Sequence, residues 1–185
     1  DPIAGGPQCQ DFSPAGDRVE GERAGLTRAF AMLVCVVRPK WFLMENVPQA
    51  ANSEAWRDAR AMLVKAGYGL TETKLNASFY GVPQARKRLF VIGKLDEADG
   101  YLESALVAAR SAEATTVRDM LGDALGEAFY AHPGHPGKRG IWGVDEPAPT
   151  IRGSTRRPMP ASYQTRPGDA ALVQAGASLI APCFN

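Results

Sequence analysis

Residues 24–47 read AGLTRAFAMLVCVVRPKWFLMENV, and the order of patterns inside this stretch decides the fold. Leu26, Phe30, Leu33, Val34 and Val37 recur at helical spacing, which predicts an α-helix over 24–38. Arg38-Pro39 ends it, because the residue before a proline is pushed out of the helical region. Trp41-Phe42-Leu43-Met44 is then a short continuous apolar run, the pattern of a strand buried on both faces. Glu45-Asn46 breaks that run with two polar residues at its carboxyl end.

The neighbouring segments repeat the alternation. Asp1 to Ala4 is read as the end of a buried strand that enters a Gly-rich loop, Gly5-Gly6-Pro7. Residues 54–66 have helical character, with Ser53 as N-cap and Gly67 as C-cap. Residues 70–78 and 88–95 are read as strands joined through Gly81-Val82-Pro83. Strand and helix in alternation predict an α/β domain with a mostly parallel sheet. Ligands of such sheets lie beyond the carboxyl ends of the strands, where the loops 5–13 and 45–48 fall.

Beyond residue 97 the pattern weakens. Residues 98–112 are Ala-rich and read as helical. Residues 130–170 are rich in Gly, Pro and Arg, with HPGHPGKRG, EPAPTIRGSTRRP and YQTRPGD among them. Such a stretch is expected to build little core. The expected division is therefore a core over 1–96 and a smaller irregular region over 97–185.

Composition narrows the function classes. The 185 residues carry 21 Lys+Arg against 20 Asp+Glu, a formal charge of +1, so any nucleic-acid contact must come from local clustering of cations. Three cysteines, Cys9, Cys35 and Cys183, do not suit a disulfide framework and are expected to be reduced, in the cytoplasm. No apolar run approaches the roughly 20 residues of a membrane helix. The two histidines, His132 and His135, make a weak metal signal, and no metal is expected. Cys35, on the apolar helix, is read as core, and Cys183 has no assigned role.

Three constellations carry chemistry. In Gly5-Gly6-Pro7-Gln8-Cys9-Gln10-Asp11-Phe12-Ser13 the glycines allow a sharp turn and a close approach of backbone to ligand. A thiol on such a loop becomes a nucleophile only as the thiolate. Taken alone, a structural cysteine in a turn is the more common outcome. Glu45-Asn46-Val47 places a carboxylate at a strand end, where it can hold a ring N–H or instead pair with a nearby arginine. In Gln84-Ala85-Arg86-Lys87-Arg88, an extended backbone puts residues 84, 86 and 88 on one face with Lys87 opposite. That row suits a carboxylate, a base carbonyl or a phosphate, or equally a solvated edge strand.

In this order, GGPQCQDFS (5–13), ENV (45–47) and QARKR (84–88) resemble the cytosine-C5 DNA methyltransferase family of bacterial restriction-modification systems. The resemblance is good over residues 1–95 and looser through HPGHPGKRGIWGVDEPAPTIRG. It implies part of a Rossmann-like methyltransferase sheet over 1–96, with a smaller, irregular target-recognition region, also partial, over 97–185. It implies Cys9 as nucleophile on a flipped cytosine, Glu45 at the ring nitrogen and exocyclic amine, Arg88 on the base carbonyl and Arg86 in support. Asn46 would fix the loop, Gln10 and Ser13 would meet phosphates, and Gln84 and Arg152 would contact the substrate. Arg156, Arg157 and Arg166 would join Arg152 in reading guanine edges or phosphates. The implied cofactor is S-adenosylmethionine, with Leu26 beside its adenine, and the implied partner is double-stranded DNA.

The departures are specific. Gln8 stands where the family usually has proline before the cysteine. The family's Gly-rich cofactor loop would precede Asp1, and its last motifs would follow the recognition region, so the chain is expected to be a piece. Two other readings stay open: a catalytically incomplete nucleic-acid-binding fragment or relative, and a tRNA cytosine-C5 methyltransferase. Target sequence and oligomeric state are not legible.

Overall fold

A four-stranded sheet in the order β1-β2-β5-β3 organises the first half of the chain in the computed structural model, which describes residues 1–8, 25–133, 139–151, 159 and 169. Its strands are β1 (Ile3–Gly5), β2 (Trp41–Asn46), β3 (Tyr68–Asn76) and β5 (Lys87–Leu95); a two-residue strand, β4 (Gln84–Ala85), precedes β5. Helix α1 (Gly25–Val37) joins β1 to β2, and α2 (Glu54–Lys65) joins β2 to β3. β1 runs parallel to β2, with Gly5 opposite Met44. β5 runs antiparallel to β2, with Glu45 opposite Phe90 and Asn46 opposite Leu89.

The sheet is thus mixed, where the alternation of strands and helices had suggested mostly parallel pairing. No α-helix separates β3 from β5, only a three-residue 3-10 turn at Ala77–Phe79, so nothing carries the chain back to the other end of the sheet. β5 therefore starts where β2 finishes.

β2 alternates instead of being buried on both faces: Phe42, Met44 and Asn46 are buried and Leu43 is 37% exposed. The inner face, with Leu89 and Val91 of β5, packs on Ala31 and Val34 of α1 and on Ala55, Trp56, Ala59 and Leu63 of α2. Helix α1 forms where its periodicity places it, and only part of that apolar set is buried. Thr27, Ala31 and Val34 are buried, whereas Leu26, Leu33 and Val37 are 43%, 51% and 55% exposed. A helix that is apolar all round does not reveal from its own pattern which stripe meets the sheet.

Local signals set the boundaries of α2. The Ser53 hydroxyl accepts from the Trp56 N–H at 3.0 Å, the expected N-cap. Ala66 is the C-cap, and Gly67 follows with φ 92°, a conformation glycine adopts without strain. Cys35 is half-buried, its thiol donating toward the Met62 carbonyl at 3.7 Å, and burial pushes its pKa up.

Packing divides the chain into two units, Asp1–Leu75 with Lys87–Ala109, and Asn76–Arg86 with Arg110–Asn185. The second contains β4 paired in parallel with β8 (Ala148–Pro149), and β6 (Ala128–Tyr130) paired antiparallel with β7 (Ile141–Gly143). The Ala-rich stretch 98–112 gives only a six-residue helix, α3 (Glu103–Ala108), whose residues are not buried. Helix α4 (Val117–Leu121) starts in a capping box, with reciprocal bonds between Thr116 and Asp119.

The described part of the Gly/Pro-rich region shares its core with residues that precede it. Val117, Phe129, Ala131, Val144 and Ala148 cluster, and Tyr130 and Ile141 are fully buried beside Ala128. Its strands are two or three residues long, too short to show a period in the sequence. Arg118 ties this unit together through Asp123 (2.6 Å), Glu127 (2.8 Å) and Asp145 (2.6 Å).

Candidate active site

The carboxyl ends of β1 and β2 and the amino end of β5 meet at one edge of the sheet, as their pairing requires. Cross-strand partners share a face, so Glu45 lies on the same side as its partner Phe90 and, two residues earlier, Arg88. The Glu45 carboxylate and Arg88 guanidinium form an ion pair there, Oε1 to Nε at 2.8 Å, with side chains 36% and 21% exposed. Arg88 also donates from Nη1 to the Lys87 carbonyl at 2.8 Å. The pair is accessible from solvent and held by two adjacent strands.

Asn46 points to the other face and is 2% exposed. Its Nδ2 donates to the Pro7 carbonyl at 3.2 Å, and its Oδ1 accepts from the Val47 N–H at 2.8 Å. One buried amide therefore ties the Gly-rich loop to the segment that follows β2. Gly6 passes beside Glu45: a Cβ added there would lie 3.5 Å from Glu45 Oε2 and 3.6 Å from its carbonyl oxygen. Loop, carboxylate and guanidinium are thus neighbours within the first unit.

Gln84 and Arg86 lie in the second unit, on and just after β4, while Arg88 belongs to the first. Of the expected single row, Gln84 is on β4, which pairs with β8, Arg88 is on β5, which pairs with β2, and Arg86 lies between the two strands. Within the second unit the Arg86 carbonyl accepts from the Ala77 N–H at 3.0 Å, and Arg86 N–H donates to the Gln84 carbonyl at 2.8 Å. The Thr150 hydroxyl donates to the Ala85 carbonyl at 3.2 Å, which joins Thr150 to β4. Leu26 sits in the first turn of α1, 43% exposed. Cys9, Gln10, Ser13, Arg152, Arg156, Arg157, Arg166, His135 and Cys183 lie outside the described residues.

Two contacts were not anticipated from the sequence: the link from Asn46 to Pro7 and the seat of Gly6 against Glu45. Both follow from the register Gly5 opposite Met44, which puts the loop start alongside residues 45 and 46. Among the described residues no group of three or more His, Cys, Asp or Glu is arranged to hold a metal ion. Nor is any described helix long and apolar enough to cross a membrane.

The sequence profile of C-5 cytosine-specific DNA methylases matches residues 1–146. The type II methyltransferase M.HindV of Haemophilus influenzae is 48% identical over 165 residues, 88% of this chain and 54% of that protein. M.HgiDI of Herpetosiphon aurantiacus, also a type II methyltransferase, is 46% identical over 170 residues, 91% of this chain and 55% of its own. The chain thus spans about half the length of these curated relatives. In structure it resembles the S. pombe Dnmt2 methyltransferase at a TM-score of 0.50 and 23% identity, over 64% of this chain and 39% of that one, a likeness of fold. The match over residues 1–146, together with near-half identity to two type II enzymes, places the chain in the C-5 cytosine-specific DNA methylase family.

Proposed function

We propose that this chain carries the base-activating part of a type II DNA (cytosine-5)-methyltransferase, in which Cys9 attacks C6 of a flipped cytosine in double-stranded DNA. The observation that supports it is the Glu45–Arg88 pair beside the Gly5–Pro7 loop, because cytosine needs these groups together. C5 is a weak nucleophile until a thiolate bonds to C6 and pushes the electron pair of the 5,6 double bond onto the ring.

Glu45 faces N3 and the exocyclic amine and offsets the negative charge that develops there. Arg88 holds the base carbonyl, and the ion pair fixes the carboxylate before the base arrives. Asn46 restrains Pro7, two residues before the nucleophile. Once C5 carries the methyl group, a base takes the C5 proton, the electron pair reforms the double bond and the Cys9 sulfur leaves. The target must leave the helix stack for any of this. Gln10, Ser13, Gln84, Arg86 and Arg152 are proposed to hold the flanking DNA, with Arg86 also supporting the base site.

S-adenosylmethionine, when bound, supplies the methyl group as an electrophile. The exposed Leu26 side chain fits an adenine contact, and it lies in the helix that follows the β1 loop. A second reading is a DNA-binding part that does not itself catalyse. Incubation with duplex DNA and labelled S-adenosylmethionine separates them. Incorporation that vanishes in Cys9→Ser supports the first reading; DNA retention without incorporation supports the second.

A further inference from the structure

Gly5 is the last residue of β1, four positions before Cys9. A Cβ at Gly5 would lie 2.5 Å from Cε2, 2.9 Å from Cδ2 and 3.5 Å from Cζ of Phe30. The Phe30 ring, projecting from α1, thus fills the place where a side chain at position 5 would begin. The ring is backed by others. Phe30 meets Phe42 edge-on, centroids 6.1 Å apart at 69°. Phe42, 1% exposed, meets Tyr68 in the same way at 5.2 Å and 73°. Tyr68 donates its hydroxyl to the Pro39 carbonyl at 2.6 Å, which anchors the row.

The start of the loop is therefore gripped twice. Phe30 bears on Gly5, and Asn46 holds Pro7 two residues later. The resemblance to methyltransferases assigns no role to residue 30, and the sequence shows only an apolar residue at helical spacing.

We infer that Phe30 is a positioning residue for the Cys9 loop: its ring, seated on Gly5, sets where the chain leaves β1 and so where the thiol is delivered. Phe30 touches no substrate; it acts through the backbone at Gly5. The inference rests on the proposal that Cys9 is the nucleophile, but it can fail separately.

The contact predicts a reciprocal pair of defects. Gly5→Ala forces a methyl into the ring. Phe30→Ala removes the ring and lets the loop start settle into the gap. In Gly5→Ala/Phe30→Ala the new methyl enters space the ring has left. Three measurements on the same chain decide it: the melting temperature, the iodoacetamide alkylation rates of Cys9 and Cys35 resolved by peptide mass, and adduct formation on a 5-fluorocytosine duplex with S-adenosylmethionine present. Cys35, on the same helix and against Met62, reports any general loosening of α1.

Each single variant is expected to change the Cys9 alkylation rate threefold or more, with Cys35 within twofold of the unaltered chain. The double variant should lie nearer the unaltered chain than Gly5→Ala does, and Phe30→Leu should fall between. Cys9 rates equal in all variants would overturn the inference. So would rates that follow the melting temperature with Cys35 moving in step, since that marks Phe30 as core alone. If Cys9 responds as expected but the unaltered chain forms no adduct, the inference stands and the covalent reading falls.

Discussion

Glu45 and Arg88 are joined across the β2–β5 pair, Oε1 to Nε at 2.8 Å, although 43 positions separate them in the sequence. The antiparallel register makes this possible by bringing the first residues of β5 to the last residues of β2.

Because both side chains are partly exposed, the pair contributes little to folding, on the order of 0–1 kcal/mol. Its chemical role should be much larger. Glu45→Gln is expected to leave urea unfolding nearly unchanged and, if the proposed function holds, to lower methyl transfer about 10²–10⁴-fold, the range for a positioned proton-handling group. Arg88→Lys keeps the charge but loses the planar fork, and should also lose transfer with stability retained. Comparing single-turnover rates with urea midpoints checks both. A Glu45→Gln enzyme with unaltered transfer would remove the carboxylate from the chemistry.

Asn46 should behave in the opposite way, as a stability residue with a catalytic consequence. Its amide is buried and uses both ends, donating to Pro7 and accepting from Val47. Asn46→Ala strands two backbone groups and should cost about 1–3 kcal/mol in equilibrium unfolding. Asn46→Asp keeps the acceptor for Val47 but turns a carboxylate toward the Pro7 carbonyl, so it should be no better than alanine. Equal urea midpoints for Asn46→Ala and the unaltered chain would mean that the amide is not what holds the loop.

Much of the first unit could be read in advance, because its signals are local. Ser53, Gly67 and the turn at Arg38-Pro39 mark helix ends through their own backbone chemistry, and the structure ends its helices there. Glu45, Asn46 and Arg88 stood out as polar residues at strand ends. What escaped depends on partners distant in sequence. The inward side of α1 could not be chosen, because apolar residues surround that helix. The direction of β5 is set by a return without a helix. The split of Gln84 and Arg86 from Arg88 depends on β4 pairing with β8, some sixty residues on. The core around Phe129, Tyr130 and Ile141 comes from strands too short to leave a period.

Acid should loosen the second unit through Arg118 and the α4 cap. The Asp145 carboxyl is held below its ordinary range by hydrogen bonds from Arg118, and that of Asp119 by bonds with the Thr116 backbone and hydroxyl. A carboxyl whose pKa is lower folded than unfolded stabilises the fold above its unfolded pKa and stops doing so as pH falls through the folded one. The loss therefore begins near the unperturbed aspartate value of about 3.9 and continues below it. Trp142, in this unit beside Arg139, can report it, with Trp41 and Trp56 of the first unit replaced by phenylalanine. Asp145→Asn should flatten the acid side of the Trp142 profile, and added salt should weaken the effect because the groups are exposed. An acid transition unchanged by Asp145→Asn would place its origin elsewhere.

Gly69 tests whether the outer edge of β3 is closed by backbone. A Cβ there would come 2.3 Å from the Glu97 carbonyl oxygen, 2.5 Å from its carbon and 2.6 Å from the Ala98 oxygen. Those atoms cannot step back freely. The turn that carries them is fixed by Asp96 N–H to Gly67 O at 2.9 Å, Leu70 N–H to Asp99 Oδ1 at 2.8 Å, and Gly100 N–H to Leu70 O at 2.9 Å. Gly69→Ala must therefore break one of these bonds or displace β3, at a cost of about 1–3 kcal/mol or more, as for other overpacked sites. Gly25→Ala is the matched control: among the described residues nothing lies within 4 Å of a Cβ added there, and alanine suits a helix start at least as well as glycine. Urea unfolding should therefore show Gly69→Ala well below the unaltered chain and Gly25→Ala level with it or above. If the two variants unfold alike, the 96–100 turn yields easily, and the β3 edge is closed by something weaker than its backbone bonds.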